Sequence, residues 1–380
     1  MKTCGIVVEY NPFHFGHLYQ IQKIRQDLQV EAIIVVMSGN FVQRGEPAII
    51  DKWARTEAIL KQGVDVVIEL PYIYATQSAS QFAKAAIEIL KLAQVNYICF
   101  GSECGNLENL MEIAETSINP DHLREAMREG SSYPKAYSLL TGAMLPNDIL
   151  AVSYLKALKG SSIQPYLIQR QGESYHSLEN KELASAKGIR YALFHHQDVT
   201  EATPLSFKSN QLHHWNDYYP FLRFQLLSST REELQSFFLV QEGIEKHLIH
   251  CAKVCENFEE FINMAVNYRY TQARIQRTCL QILNHIKKEE VQLLKPLHQF
   301  RILGFNTIGQ TWLKENKHLP AIVKFSKLTE HLRQMEIRTT YSYALVHHEQ
   351  DLIQREVKGP IVHFEKKTES FHSGSFGNTL

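Results

Sequence analysis

Apolar residues come in two rhythms along the first hundred positions. Short continuous runs, "GIVV" (5–8), "AIIVVM" (32–37), "VDVVIEL" (64–70) and "VNYICF" (95–100), read as buried strands. Between the first two runs, Leu18, Ile21, Ile24 and Leu28 recur three to four residues apart, the stripe of a half-buried helix. Asp51 is placed to cap a second helix, "KWARTEAILKQ", which ends at Gly63, and "SQFAKAAIEILKLA" reads as a third. Alternation of strand and helix predicts an α/β fold, a Rossmann-like doubly wound parallel sheet with right-handed crossovers. Ligands of such sheets bind beyond the carboxyl ends of the strands, so "EYNPFH", "MSGNF", "ELPY" and "FGSE" are expected at that edge.

From about residue 200 the texture changes to a mainly helical C-terminal region, with no clear strand until the last sixty residues. The closing "EKKTESFHSGSFGNTL" is polar and Gly/Ser-bearing, and is expected to fray. The domain reading is 1–200, 201–320 and a small segment 321–380 with a frayed tail.

The chain has 380 residues, 44% hydrophobic and 21% charged, the composition of an ordinary soluble globular protein. Forty Lys and Arg balance forty Asp and Glu, so a nucleic-acid surface would have to be local. No apolar run reaches bilayer length, and the apolar core near the N-terminus, Gly5–Val8, is too short for a signal peptide. Six sparse, irregular cysteines suggest reduced thiols, and the cytoplasm is the expected location.

Candidate chemistry concentrates after the first strand, where His14-Phe15-Gly16-His17 opens the first helix. Glycine allows close backbone approach, and free N–H groups at a helix start favour phosphate. Imidazole, with an ordinary pKa of about 6.5, adds a donor and protonates readily beside phosphate. Two such donors suit the charge that builds on an α-phosphate and a leaving pyrophosphate during in-line displacement. Asn147 in "PNDIL" is expected to cap a helix, or equally to offer its amide to an adenine or ribose edge, and Arg170 is expected to end a strand. Ser185, at a helix start, is followed by Lys187 and Arg190, a hydroxyl and two cations suited to β- and γ-phosphates.

These blocks carry a resemblance. "GIVVEYNPFHFGHLYQ", "VMSGNFVQRGEPAIIDKWARTEAIL", "GVDVVIELPYIYA", "FGSE", "PNDIL" and "RYTQARIQR" resemble the bacterial tRNA(Met) cytidine acetate ligase family, within the HxGH nucleotidyltransferase-like superfamily. The match runs from residue 1 to beyond 300. It implies an enzyme that activates acetate with ATP as acetyl-adenylate. The acetyl group then passes to N4 of the wobble cytidine of elongator tRNA(Met). ATP is the cofactor-like substrate, Mg²⁺ comes with its phosphates, and neither a membrane nor a protein partner is implied. The catalytic pair would be His14 and His17. The resemblance places ATP contacts on Val7, Val8, Glu9, Tyr10, Asn11, Pro12, Phe13, His14, Phe15, Gly16, His17, Leu18, Tyr19 and Gln20, and on Gly101, Asn147 and Arg170. Ser185 and Arg190 join them as the late motif. The first domain would then be the ATP-binding catalytic unit, and 201–320 would contact tRNA.

Two positions depart from the family pattern. Phe15 stands where the family has Asn, and Lys187 falls where its S-A-T-x-I-R motif has a hydroxyl. Lys52 and Arg55, one turn apart, are candidates to meet the acetyl-adenylate or tRNA, or else face solvent. Glu69 and Glu103 at strand ends would order Mg²⁺ or a ribose, or cap a helix. Between 267 and 301 seven Lys/Arg face two Glu, a local balance of +5, with Tyr268 and Tyr270 interleaved; Arg269, Arg274 and Arg277 are its candidate tRNA contacts. His247, His250, Cys251 and Cys255 imitate a zinc set, but one straight helix cannot wrap an ion tetrahedrally, so no metal site is assigned. Two other classes stay open: a small-molecule cofactor nucleotidyltransferase of the HxGH class, and a nucleotide-binding RNA module without catalysis.

Overall fold

A computed structural model describes residues 1–116, 144–170, 185–208 and 211–364. Its eight strands are β1 (Thr3–Val8), β2 (Ala32–Ser38), β3 (Val66–Leu70), β4 (Tyr97–Ser102), β5 (Gln164–Gln169), β6 (Phe300–Asn306), β7 (Ala321–Ile322) and β8 (Ile361–His363). They form one sheet in the order β5-β4-β1-β2-β3-β6-β7, with β8 also paired to β6. The first five strands are mutually parallel, whereas β6 runs antiparallel to β3.

The helices of the first half are α1 (Phe15–Leu28), α2 (Lys52–Leu60), α3 (Tyr72–Ala75), α4 (Ala79–Leu92), α5 (Leu107–Glu115), α6 (Pro146–Leu158) and α7 (Ala186–Phe194). Those of the second half are α8 (Trp215–Ser228), α9 (Arg231–Ser236), α10 (Ile244–Val254), α11 (Phe258–Ala265), α12 (Gln272–Leu283), α13 (Lys288–Gln292), α14 (Thr307–Glu315), α15 (Glu330–Leu345) and α16 (Gln350–Val357).

Period-two geometry splits the strand side chains between two cores. Ile34 and Val36 of β2 pack with α4 and α6 on one face, while Ile33 and Val35 pack with α1 and α2 on the other. Every residue of β2 is buried, which explains its unbroken apolar run. A third core fills the helical half and takes in Phe41 and Tyr72 from the first half. There Trp215 Nε1 donates to Gly45 O at 2.9 Å, and Tyr343 Oη donates to Ala48 O at 2.6 Å. The helical half therefore holds the loop 39–51 at the carboxyl edge of the sheet.

The far end of the chain departs from the pattern-based expectation. "FRILGFN" is a strand within the stretch expected to be helical, and it carries β7 and β8 onto the sheet. Most of the described part of 321–364 is instead the helix pair α15 and α16. The expected frayed tail, 365–380, lies outside the described residues. No described helix is long and apolar enough to cross a membrane.

Candidate active site

From β1 the chain winds one way to β2 and β3, then crosses back to β4 and β5 on the other side. The crevice between the carboxyl ends of β1 and β4 is thus the switch point at which doubly wound sheets bind ligands. His14 and His17 lie there, His14 as the cap of α1 and His17 in its first turn.

The two imidazoles build the start of α1. His14 is the N-cap, in extended backbone, and its Nδ1 accepts the Gly16 N–H at 3.1 Å. His17 Nδ1 in turn accepts the His14 N–H at 3.2 Å, so the pair forms a reciprocal capping box. The rings stack with centroids 3.7 Å apart and 27° between planes. Because each Nδ1 accepts from a backbone amide, the neutral ring carries its proton on Nε2. Both Nε2–H groups remain as donors. Gly16 is required locally, since a Cβ there would stand 2.9 Å from the His14 ring.

Electrostatics corrects one expectation. Burial, reinforced by the Arg170 guanidinium, holds His14 down to about 4. Burial, then His14 and Arg170, holds His17 well below its ordinary value. In the free site the pair is therefore two neutral donors rather than imidazolium ions.

Other predicted residues gather around this pair. Arg170 follows β5, its N–H donating to Ser102 O at 2.8 Å, and its stem lies over Gly101, where a Cβ would meet Cγ at 3.2 Å. Glu9 is half-buried with its carboxyl pushed up by burial, and one oxygen accepts the Gln43 N–H at 2.8 Å. Ser185 caps α7, its Oγ accepting from Gly188 N at 3.1 Å. Arg190 reaches back to the first loop, donating to Asn11 O at 2.7 Å and to Glu46 at 3.0 Å. Tyr10 and Phe13 are core residues beneath the motif. Gln20 points to Cys99 Sγ at 3.5 Å.

Asn147 is not the cap the sequence suggests. Pro146 opens α6, and the Glu103 carboxylate does the capping, accepting from Asn147 N at 3.3 Å and Asp148 N at 3.0 Å. The Asn147 amide also donates to Glu103, which sets it just beyond the carboxyl end of β4.

Lys52 and Arg55 are corrected more strongly. Both are fully buried, at 1% and 0% exposure, and neither lies on a surface where tRNA could touch it. Lys52 Nζ binds Glu69 and, at 2.9 Å, Glu356. Arg55 donates to the carbonyls of Glu9 (2.6 Å), Ser38 (3.1 Å), Ile50 (3.2 Å) and Gly39, tying the ends of β1 and β2 to the loop 39–51. Five guanidinium N–H donors suit such convergent carbonyls. Glu69 is likewise part of an interior ion cluster rather than a ligand-edge carboxylate.

The basic stretch is similarly divided. Arg301 is buried against Glu69 at 3.0 Å, and half-buried Arg277 donates to Gln43 O at 3.3 Å, with burial holding it down to about 10. Arg274 is half-buried toward Leu239 O at 3.5 Å. Arg269 stays exposed, 3.6 Å from Glu242, beside Tyr268 at 79% exposure.

A groove of about 260 Å³ adjoins the site between α7 and the helical half, with Glu46, Arg190 and Gln276 in its wall. Glu46 and Gln276 escaped the sequence analysis, because their neighbours lie 144 and more than 200 residues away and no local motif marks them. A larger cavity, about 660 Å³, lies at the amino ends of the strands near Lys2, Asn96 and Gln164, the edge opposite the imidazoles.

Fold and site together define a nucleotidyltransferase-type nucleotide site. The HIGH Nucleotidyl Transferase family model matches residues 1–357. The tRNA(Met) cytidine acetate ligase of Geobacillus sp. (strain WCH70) is 36% identical over 91% of this chain and 95% of its own. That of Thermoanaerobacter sp. (strain X514) is 39% identical over 87% and 91%. The crystal structure of Thermotoga maritima TmcAL in its apo form superposes with a TM-score of 0.83 at 28% identity, covering 96% of this chain and all of that one. The same protein bound with alpha-thio ATP gives 0.84 over the same shares. The chain belongs to the HIGH nucleotidyltransferase family, in the branch of the tRNA(Met) cytidine acetate ligases.

Proposed function

We propose that this protein activates acetate with ATP and acetylates N4 of the wobble cytidine of elongator tRNA(Met), in the cytoplasm. The observation that carries the reading is the reciprocally capped pair His14–His17 at the switch point, with both Nε2–H groups left to donate. An acetate oxygen attacks the α-phosphorus, the bond to the β-phosphate bridge breaks, and its electron pair leaves with pyrophosphate. The two imidazoles and Arg170 then face the charge that grows on the α-phosphate and the leaving group. In the second step cytidine N4 attacks the acetyl carbon, AMP departs with the electron pair of the broken C–O bond, and the N4 proton goes to solvent.

Magnesium enters with the triphosphate as part of the substrate. Glu103 is spent on a helix cap and Glu69 on an ion cluster. Among the described residues no group of three His, Cys, Asp or Glu is placed to hold a metal. An ion that keeps most of its waters needs no such cage. Residues 1–200 would supply the ATP site and 201–320 the tRNA contact, with exposed Arg269 and Tyr268 on its outer face. Six free cysteines, five of them buried, fit a reducing compartment.

The test is single turnover with ATP, magnesium and labelled acetate, with and without tRNA(Met). Label should reach the tRNA in its presence and acetyl-adenylate in its absence, and His17→Ala should slow both about 10²–10³-fold. Pyrophosphate release that ignores acetate would overturn the reading.

A further inference from the structure

We propose that the groove between α7 and the helical half is the acceptor-base pocket, which takes one unstacked cytosine of an RNA loop and presents its amine to the nucleotide site. The proposal rests on the acyl-transfer reading above and adds where the acceptor sits.

Position comes first. Arg190 lines the groove and donates to Asn11 O at 2.7 Å, three residues before His14, so groove and phosphate site share a wall. An amine entering from the groove side would reach an acyl-adenylate held at the imidazoles.

Gln276 is the second, independent observation. It lines the groove, is only 4% exposed, and has no hydrogen-bond partner among the described residues. A nine-tenths-buried polar side chain is rarely left so, and the amide of this one is still reached by solvent from the groove. A carboxamide offers one acceptor and two donors. With Oε1 turned to the entering amine and Nε2–H to N3 it complements the cytosine edge; turned the other way it would complement uracil, which is what a uridine loop tests. With one N4 hydrogen held by Oε1, the amine is oriented while its other hydrogen remains free to leave.

Shape and charge agree. About 260 Å³ falls below the roughly 300–1,000 Å³ of drug-sized ligand sites, and suits a single base. Trp215 and Phe258 stack 4.3 Å apart and 6° from parallel in the groove wall, a flat apolar surface for a pyrimidine. At the mouth Tyr191 is 55% exposed and stacked on His195 at 4.0 Å, a platform for a neighbouring base. Lys187, exposed beside it, would meet the RNA backbone. This gives a use to the cation at the position where the late motif departs from its family pattern.

The test uses the full chain, Gln276→Met, Tyr191→Ala, and short stem–loop RNAs with one unpaired cytidine or uridine. RNA binding is read by anisotropy, adenylation by acetate-dependent ATP–pyrophosphate exchange without RNA, and transfer with tRNA(Met). Wild type should prefer the cytidine loop. Gln276→Met should erase that preference and lower transfer about 10- to 100-fold while exchange stays within about twofold. Tyr191→Ala, a surface change that threatens no core, should weaken both loops alike. Exchange falling in step with transfer in Gln276→Met would place the groove in the nucleotide site and overturn the proposal. So would an intact cytidine preference in that variant, or unchanged RNA binding in Tyr191→Ala. Wild type that shows no acetate-dependent exchange but a Gln276-dependent cytidine preference would sink the acetate reading and leave the pocket standing.

Discussion

His14 and His17 each serve the fold and the chemistry with different nitrogens, and the two services separate by substitution. In His17→Ala the Nε2 donor is gone and the His14 N–H loses its acceptor. Adenylation should fall about 10²–10³-fold, as when one preorganised donor is removed. Stability should fall by only about 0.5–2 kcal/mol, the range of a lost helix cap; pyrophosphate exchange and urea melts check the two. The depressed value of His14 also sets a pH window. An imidazole at about 4 in the fold and about 6.5 in the unfolded chain leaves the unfolded state holding more protons between those values. Its contribution is therefore complete above about 6.5 and is lost as the pH falls toward 4. His14→Asn keeps a good cap and removes the titration. Its melts from pH 7 to pH 4 should show a shallower loss of stability than wild type; equal slopes would refute the assignment.

At the scale of elements, the loop 39–51 decides how the two halves meet, and Gly45 is its pivot. Its φ is +82°, and a Cβ there would stand 2.4 Å from the Arg277 backbone nitrogen in α12. Gly45→Ala must therefore move the loop off the helix, and should cost more than the roughly 1–2 kcal/mol of a left-handed alanine. Gly160→Ala is the control, with φ +74° and nothing within 4 Å of the added carbon. If urea titrations give the two variants equal losses, the close packing of Gly45 is not what holds the loop. The strands around this loop were legible because fully buried parallel strands leave continuous apolar runs, as β2 does. The helix start at His14 was legible because a short motif follows a strand directly. Burial of Lys52 and Arg55 was not legible, since spacing fixes which face two residues share but not whether that face carries a cluster of carboxylates. β6 was hidden for a related reason: its pairing with β3 spans more than 200 residues of sequence, and nothing local announces it.

Across the whole molecule the two ends of the chain are joined by five buried ionisable side chains. Lys52 from α2, Glu69 from β3, Arg301 from β6, Glu336 from α15 and Glu356 from α16 are all at most 4% exposed. Lys52 and Arg301 both bind Glu69 and Glu356, while Glu336 accepts the Tyr72 N–H at 2.6 Å and stands 3.8 Å from Lys52. Two cations against three carboxylates leave one negative charge too many for an interior. Burial, then the charge on Glu69, resolves this by pushing Glu336 up to about 8, so that it keeps its proton at neutral pH. Because that value lies above the unfolded one, the stabilising contribution is full below about 4.5 and is lost as the pH rises through about 8. Glu336→Gln reproduces the protonated side chain. It should match wild type near pH 4.5 and lose less stability between pH 4.5 and about 8, the window in which only the unfolded wild-type carboxyl ionises. Glu356→Gln instead leaves two cations with one carboxylate, and removing one partner of a buried charge set costs about 3–5 kcal/mol. Denaturation midpoints from pH 4.5 to 8 decide the matter. Parallel curves for wild type and Glu336→Gln would mean that the third carboxylate is ionised, and that the closure of the C-terminal helices on the sheet does not depend on its proton.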